Sequence, residues 1–243
     1  MDFSGRRAYT FREIPAWRQL SAAGKESPNM AVLTIRQQLY RTLKQRILDG
    51  VYPPGAHLNI DIIAKEQGVS NSPLREAMTL LVKDRLVENR PNAGMYVIEI
   101  TPQLYRELVD TINIWIEGAY RLCLKYGKTE CLLALMEERL RALKKVIRRG
   151  TDRERIFAIL DFQRCFVTAT ENKVFISSFS SEFDRLCLAY YYNHLGREID
   201  WDINVQRAAT IIDAVRSGLV DTVSDMIWTW SVPHFEANQI PEE

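Results

Sequence analysis

The sequence predicts a mainly α-helical protein in which a small helical unit with a two-stranded β element precedes an antiparallel bundle of about six helices. Three observations support this fold class. Apolar residues recur at helical spacing through most of the chain, and glycines interrupt the resulting stripes. The clearest strand-like patterns are concentrated in residues 86–98. Finally, 47% of the 243 residues are apolar, which is enough to bury a sizeable core.

The charge balance gives no global basic field. The formal net charge is +1 at pH 7. Residues 1–100 contain 14 basic and 10 acidic side chains, a balance of +4, whereas residues 101–243 contain 18 and 21, a balance of −3. Any surface that binds nucleic acid must therefore be local.

Cysteine usage and hydropathy predict a cytoplasmic protein. The four cysteines lie in apolar, helical-looking surroundings without CxxC spacing, which is typical of reduced core thiols. They are Cys123, Cys131, Cys165 and Cys187. No run approaches the roughly 20 apolar residues that a membrane-spanning helix needs, and no signal-peptide pattern is present at the N-terminus.

Composition shifts divide the chain into four segments. Residues 1–33 mix glycine, proline, arginine and isolated aromatic residues without a sustained period, which predicts a flexible extension. Residues 34–100 contain the small helical unit and the strands. Residues 101–236 contain the bundle, and residues 237–243 form a short tail.

The first two helices follow from their apolar stripes and their end signals. A helix of about 15 residues begins at Thr34 and ends at Gly50, and a Pro-Pro-Gly turn follows at residues 53–55. A second, shorter helix occupies residues 59–67 and ends at Gly68. Gly68 supplies the turn between this second helix and a third helix directly behind it, and a helix, a Gly-containing turn and a helix predict a helix-turn-helix.

The third helix has the pattern of a recognition helix. Ser70 is positioned to cap its first amides and Pro73 suits its opening turn. One face is apolar, with Leu74, Ala77, Met78, Leu81 and Val82. The other face carries small hydrogen-bonding residues around one cation, namely Asn71, Ser72, Arg75 and Thr79. These residue types suit contacts to base edges and phosphates in a major groove.

A two-stranded wing follows the recognition helix. Leu86 and Val87 lead into a strand, residues 89–94 supply turn signals, and Tyr96 to Ile98 form the returning strand. The fold predicted for this part is therefore a winged helix-turn-helix. The residues predicted to bind DNA are Asn71, Ser72, Pro73, Arg75, Thr79, Arg90, Asn92 and Gly94.

Six further helices are predicted after residue 100. Thr101 caps the first and Pro102 opens it, whereas Thr151 and Glu154 form a capping box at the start of the third. The six segments run from Thr101 to about Gly127, from Thr129 to Gly150, from Thr151 to Ala169, from Val174 to Leu195, from Trp201 to Ser217 and from Val220 to Phe235. Short links between apolar-striped helices predict an antiparallel bundle.

The order of these motifs resembles a known family. The PPG turn, the pattern GVS-x-x-P-x-RE-A and the wing glycine, over about residues 34–98, resemble the N-terminal domain of GntR-type bacterial transcription factors. The resemblance implies a homodimer that binds a palindromic operator, with Arg75 at the family's recurrent arginine. Asn71 stands where a second arginine is common, and Asp61 stands where some relatives carry a basic residue. These departures indicate that a familiar operator sequence does not transfer.

The bundle resembles the FCD type of C-terminal domain in the FadR-like branch, which implies dimer contacts and effector sensing. Many such domains hold a divalent metal with one Asp and three His, but this chain has three histidines in all: His57, His194 and His234. One register places Ile159 and Gln163 at the Asp and first His positions, and another places Asp161 and Cys165 there. Ala208 and Trp230 fall at the other two histidine positions. We therefore predict no metal centre, and no cofactor is expected.

A second departure concerns the first bundle helix. Asn113 precedes Glu117 by four residues, where the family often presents an arginine that can hold a carboxylate ligand. A metal-free pocket for an acyl-CoA or another organic acid derivative is consistent with both departures. The polar residues predicted to line it are Asn113, Gln163, Arg185, Tyr192 and Trp230.

Two other function classes compete with DNA binding. A catalytic bundle is disfavoured because the chain shows no nucleophile elbow, phosphate loop or histidine-based site. The pattern predicts that the paired acids, Glu137 with Glu138 and Asp200 with Asp202, are solvated.

A winged helix can also act as a protein-interaction module, and the salt dependence of DNA affinity would separate this function from DNA binding.

Overall fold

The computed structural model describes residues 33–196 and 198–230, and it contains nine α-helices and one two-stranded sheet within these residues. The winged helix comprises α1 Ile35–Leu48, α2 Ile60–Gln67, α3 Asn71–Lys83, β1 Val87–Arg90 and β2 Gly94–Val97. The helical domain comprises α4 Pro102–Lys125, α5 Thr129–Arg149, α6 Asp152–Ala169, α7 Lys173–His194, α8 Trp201–Arg216 and α9 Val220–Thr229. The mainly α-helical fold class is confirmed. The predicted extension and tail, and the C-terminal turn of the last predicted helix, lie outside the described residues.

Local signals fixed most of the helix ends. The hydroxyl of Thr34 accepts from the Gln37 amide and that of Thr151 from the Glu154 amide, each in a complete capping box. Thr101 caps α4, which opens with Pro102. The expectation for Ser70 is wrong in one respect: Ser70 occupies the N-cap position of α3, but its side chain makes no capping hydrogen bond.

The wing is an antiparallel hairpin closed by a three-residue turn. Val87 pairs with Val97 at its base, and Arg90 pairs with Gly94 at its tip. The segment before α2 extends this sheet, because the Leu58 amide donates to the Met95 carbonyl at 2.8 Å. The strands are therefore fastened to the helix-turn-helix, and the wing has a fixed place beside α3.

Two apolar clusters form the interior. The winged-helix cluster is centred on fully buried residues of α1 and α3. The helical-domain cluster contains large buried aromatic side chains, namely Tyr105, Tyr120, Phe162, Phe166 and Phe179. Helix α6 lies at its centre, in contact with α4, α5, α7 and α8. This central position explains why most residues of α6 are buried around the whole helix.

Candidate nucleic-acid interface and helical-domain interior

The recognition helix α3 presents an exposed polar face. Asn71, Ser72, Arg75 and Thr79 are exposed, whereas Leu74, Ala77 and Met78 on the opposite face are fully buried in the winged-helix core. Within the described part of the chain Arg75 has no ion-pair partner. The hydroxyl of Thr79 donates to the Arg75 carbonyl at 3.0 Å, so its hydrogen is used within the helix. Arg75 is thus the available cation of this face.

The first residue of α3 is tied to α2. The side-chain Nδ2 of Asn71 donates to Oδ1 of Asp61 at 2.7 Å. In the winged helix, positions 61 and 71 are those where GntR-type sequences often have a basic residue. In the structure, the Asp61 and Asn71 that replace them form a hydrogen-bonded pair. The sequence pattern alone does not reveal this pairing, because the two residues are ten positions apart.

Two of the residues predicted to bind DNA, Asn92 and Gly94, lie at the tip of the wing. Asn92 lies exposed at the tip with φ of +59°, and Gly94 follows it with φ of +97°. An added Cβ at Gly94 would lie 3.1 Å from Nε2 of His57, so a larger residue would have to displace that ring. The His57 ring contacts the Tyr96 ring in a tilted arrangement, with 4.9 Å between ring centroids. His57 is therefore part of the wing's support, which the sequence did not indicate.

Arg90 is held within the wing. Its Nη2 lies 2.8 Å from Oε1 of Glu99, it also pairs with Glu88, and its guanidinium stacks 4.4 Å from the centroid of the Tyr96 ring. The carboxyl groups of Glu99 and then Glu88 raise the pKa of Arg90 above its usual value. The charge of Arg90 is thus already matched by two carboxylates, unlike that of Arg75.

The residues predicted for an effector pocket fall into two groups. Asn113 on α4, Gln163 on α6 and Trp230 at the end of α9 are all buried in the helical domain. Trp230 stacks on Phe162, next to Gln163, with 5.8 Å between ring centroids. Among the described residues the indole nitrogen of Trp230 has no hydrogen-bond partner.

The other two predicted pocket residues lie elsewhere. Arg185 pairs with Glu182 at 2.5 Å on its own helix, α7. Tyr192 packs against the winged-helix cluster, and its hydroxyl lies 2.9 Å from the position that a Cβ at Gly50 would occupy. Tyr192 therefore lies on the α7 surface that meets the winged helix, and Arg185 is engaged by a carboxylate of its own helix.

The helical-domain interior does not fit the metal centre of the FCD resemblance. Within the described residues, no three His, Cys, Asp or Glu side chains are grouped to hold a metal ion. The buried carboxylate of Asp161 pairs with Arg164 on its own helix and lies 3.0 Å from Nε of Arg139 on α5. Two guanidinium groups thus occupy the carboxylate that a metal would need. Burial also raises the pKa of the Cys165 thiol, which keeps it protonated.

The paired acids also have structural partners. Glu137 lies 2.8 Å from Nη2 of Arg216, and Asp200 caps α8 by accepting from the amides of Asp202 and Ile203. Glu137 is therefore an ion-pair partner between two helices and Asp200 is a helix cap. Within the described residues no helix is long and apolar enough to cross a membrane.

The fold, with its hairpin wing and the exposed polar face of α3, defines a winged-helix protein with a C-terminal helical domain. Residues 35–97 match the family described as bacterial regulatory proteins, gntR family, and residues 121–229 match the FCD domain. The two matches together cover most of the chain. The protein therefore belongs to the GntR family of transcriptional regulators, in the branch that carries an FCD domain.

Individual relatives agree with this assignment. The chain is 35% identical to an uncharacterized helix-turn-helix-type regulator, YdhC of Bacillus subtilis, over 47% of this chain and 51% of YdhC. It is 34% identical to the transcriptional repressor RspR of Escherichia coli over 28% of this chain and 29% of RspR. The structure resembles E. coli McbR/YncC with a TM-score of 0.66, 18% identity, and coverage of 84% of this chain and 99% of that one. The chain spans about half or less of the length of the curated relatives that it matches.

Proposed function

We propose that this protein is a homodimeric transcriptional repressor that binds a palindromic operator in the cytoplasm. Residues 34–100 would read the DNA, and residues 101–236 would join two copies and sense a small organic ligand. The observation that carries the proposal is the exposed polar face of α3, where Arg75 has no partner within the described residues. A cation free of internal ion pairs at this position suits a guanine edge or a phosphate.

The helical domain supports assembly of two copies. Ile114 on α4 is 57% exposed, and one turn further along the same helix Gly118 has no atom within 4 Å of the position of an added Cβ. A glycine in the middle of a helix costs about 1 kcal/mol relative to alanine. An exposed apolar residue beside such a flat position suits close approach of a second helix. RspR, whose name describes a repressor, supports repression.

The interior supports a metal-free effector site. Asn113 and Gln163 are buried on neighbouring helices, and the Trp230 indole nitrogen is a donor without a partner in the described residues. An acyl-CoA or another organic acid derivative offers acceptor oxygens for such donors together with apolar surface. A ligand that prefers one arrangement of the helices would shift the population of DNA-binding states.

The test begins with selection of operator sites from a random duplex library. The selected site should be palindromic and should bind two chains per duplex. Arg75→Ala should weaken binding to it by at least about tenfold, because each of the two half-sites loses an arginine contact that contributes about 1–3 kcal/mol. Fluorescence anisotropy at several salt concentrations should also show a shallower salt dependence for this variant.

Arg106→Ala is the matched control, because Arg106 is an exposed arginine on α4, outside the reading face. It should leave the operator affinity within about twofold, as a distant surface charge does. Equal losses for the two variants would contradict the assignment of α3. The alternative, a winged helix that binds protein instead of DNA, predicts no selected site and no steep salt dependence.

A further inference from the structure

The hydrogen bond between Asn71 and Asp61 determines which chemistry Asn71 presents to solvent. Asn71 is the first residue of α3, and Asp61 lies in the first turn of α2. Both side chains are exposed, and the Asn71 Nδ2 atom lies 2.7 Å from Oδ1 of Asp61. An ionised carboxylate can only accept hydrogen bonds. The NH₂ group of Asn71 must therefore face Asp61, and the orientation of the amide follows from chemistry.

The remaining hydrogen-bonding capacity of Asn71 is one acceptor and one donor. The carbonyl oxygen keeps its lone pairs, and one of the two amide hydrogens remains after the bond to Asp61. In the major groove adenine presents a donor at N6 next to an acceptor at N7, whereas guanine presents two acceptors at O6 and N7. An asparagine in this fixed orientation complements adenine and opposes guanine, because its carbonyl would face the O6 acceptor.

The position of the pair favours contact with a base. Asn71 precedes Arg75 by four residues, so the two side chains lie on one face of α3 about one turn apart. The helix-turn-helix arrangement directs the N-terminal residues of its second helix towards the base edges. The negative charge of Asp61 also disfavours a phosphate beside Asn71, which leaves a base edge as the suitable partner.

We propose that Asn71 reads an adenine in each operator half-site and that Asp61 is the positioning residue that fixes the Asn71 amide for this purpose. The inference rests on the proposed function, because it requires DNA in front of α3. Asp61 contributes specificity and opposes affinity: its carboxylate orients the reading group and repels the phosphate backbone.

Selection from a random duplex library by the full-length chain tests this assignment. Sequencing of the selected sites should show one position per half-site where adenine is favoured over guanine by about tenfold or more, the discrimination expected of one bidentate contact. Asn71→Ala should abolish the preference at that position. Asp61→Asn should also abolish it, because an amide at position 61 can donate or accept and allows Asn71 to turn over.

Affinity for a duplex without the operator separates positioning from a merely structural role. Asp61→Asn removes a negative charge near the DNA and should raise this non-specific affinity by about two- to threefold while the base preference falls. Damage to the fold would lower both quantities. Glu66→Gln on the same helix is the control: Glu66 pairs with Arg46 at 3.3 Å, and its loss changes the net charge by the same amount. Glu66→Gln should keep the adenine preference.

The outcomes distinguish the two proposals. Sites that depend on Arg75 but show no change at any base in Asn71→Ala would overturn the role of Asn71 and leave the proposed function standing. An adenine preference that survives in Asp61→Asn would overturn the role of Asp61. Failure of the library to yield any preferred sequence would overturn both the reading of adenine and DNA recognition by α3.

Discussion

In the part of the chain that the structure describes, charged side chains are unpaired on the exposed polar face of α3 but paired at the junction between the winged helix and the helical domain. On the polar face of α3, which we call the reading face and which carries Asn71, Ser72, Arg75 and Thr79, Arg75 is exposed and without an ion-pair partner in the described residues. At the junction, Nζ of Lys44 on α1 lies 2.6 Å from Asp184 on α7 and 3.1 Å from Asp84, and each of the three side chains is less than a quarter exposed. The hydroxyl of Tyr40 also donates to Asp84.

The junction is completed by apolar contacts. Leu188 of α7 is 1% exposed and belongs to the winged-helix cluster, so a helix of the C-terminal domain completes the core of the N-terminal one. Arg153 of α6 donates to the carbonyl of Leu48 at the end of α1 and stacks 3.6 Å from the centroid of the Tyr191 ring. Asp84 caps the C-terminal end of α3, so the recognition helix is fastened to the helical domain at the end opposite its reading residues.

This contrast teaches where each kind of charged group contributes. A buried charge must be satisfied inside the protein, because an unpaired one is costly. An exposed group without an internal partner keeps its hydrogen-bonding capacity for a ligand. The junction, a partly exposed carboxylate of α4 and the wing each offer a test of this contrast.

The largest effect is expected for Lys44→Met. Burial by itself would lower the pKa of Lys44, but the charge and hydrogen bond of Asp184 outweigh it and raise the pKa, so the ammonium stays protonated. Its loss leaves Asp84 and Asp184 without the cation between them, and breaking a buried ion pair costs about 3–5 kcal/mol. Because Lys44 is partly exposed, we expect the free energy of unfolding to fall by an amount near the lower end of that range. Urea unfolding of the full-length chain measures it.

A second substitution identifies the cause. Lys44→Met with Asp184→Asn should be more stable than Lys44→Met alone, because one of the facing carboxylates is removed. Arg85→Gln is the control at the same junction: Arg85 pairs with Glu182 at 3.1 Å but is 70% exposed, so its loss should change the free energy of unfolding by less than about 1 kcal/mol. Equal losses for Lys44→Met and Arg85→Gln would contradict the importance of burial.

An intermediate effect is expected for Glu117, and it should disappear in acid. The carboxylate of Glu117 on α4 accepts from the Trp228 indole at 2.8 Å, from Arg121 at 2.8 Å and from the Ser224 hydroxyl at 2.7 Å. The Trp228 hydrogen bond, followed by those of Arg121 and Ser224, lowers the pKa of Glu117 from 4.5 to about 2. A lowered carboxyl pKa stabilises the folded state above the unfolded value, and this contribution is lost as pH falls through the folded value.

The difference in stability between the wild-type protein and Glu117→Gln should therefore be constant above about pH 5 and should shrink between pH 4.5 and 2. Thermal unfolding at a series of pH values measures it. Glu107→Gln on the same helix serves as the control, because Glu107 is exposed and its side chain accepts from Gln103. A pH dependence identical in the two variants would show that the bonds to α9 do not hold the Glu117 carboxylate.

The smallest effect is expected for Arg90→Met in the wing. Methionine keeps contact with Tyr96 but removes a charge that Glu88 and Glu99 already balance. Exposed ion pairs of this kind contribute little because solvent screens them, so operator affinity should change by only about two- to threefold. Anisotropy titration beside Arg75→Ala measures the comparison. A loss as large as that of Arg75→Ala would mean that Arg90 leaves its carboxylates when DNA binds.

Helix starts whose signals are local were predicted at the correct position. Thr101 and Thr151 each stand at the N-cap position that the sequence indicated, because a cap depends on residues within one turn. The wing was also predicted, since its turn residues lie between two short apolar strands. Ser70 shows the limit of this reasoning: the residue is in the capping position, but whether its hydroxyl bonds an amide depends on a rotamer that the pattern does not specify.

The candidate site was predicted unevenly for the same reason. Exposure of Asn71, Ser72, Arg75 and Thr79 follows from helical periodicity, because their opposite face is apolar. The pairing of Arg90 within the wing and the place of Tyr192 at the junction depend on neighbours that meet only after folding. The metal-ligand positions could be tested by residue type alone, whereas the two arginines around Asp161 became visible only in three dimensions.

The sequence by itself determined the order of helices and wing, the polar face of the recognition helix and the family to which the chain belongs, because periodicity, caps and motifs are written along neighbouring residues. Only the tertiary structure decided which polar and charged side chains have a partner inside the protein. Lys44 and Asp184 are 140 positions apart, and Asn71 and Asp61 are on different helices. Their pairing depends on how the helices pack, and that packing separates charged groups that stay exposed from those that hold the protein together.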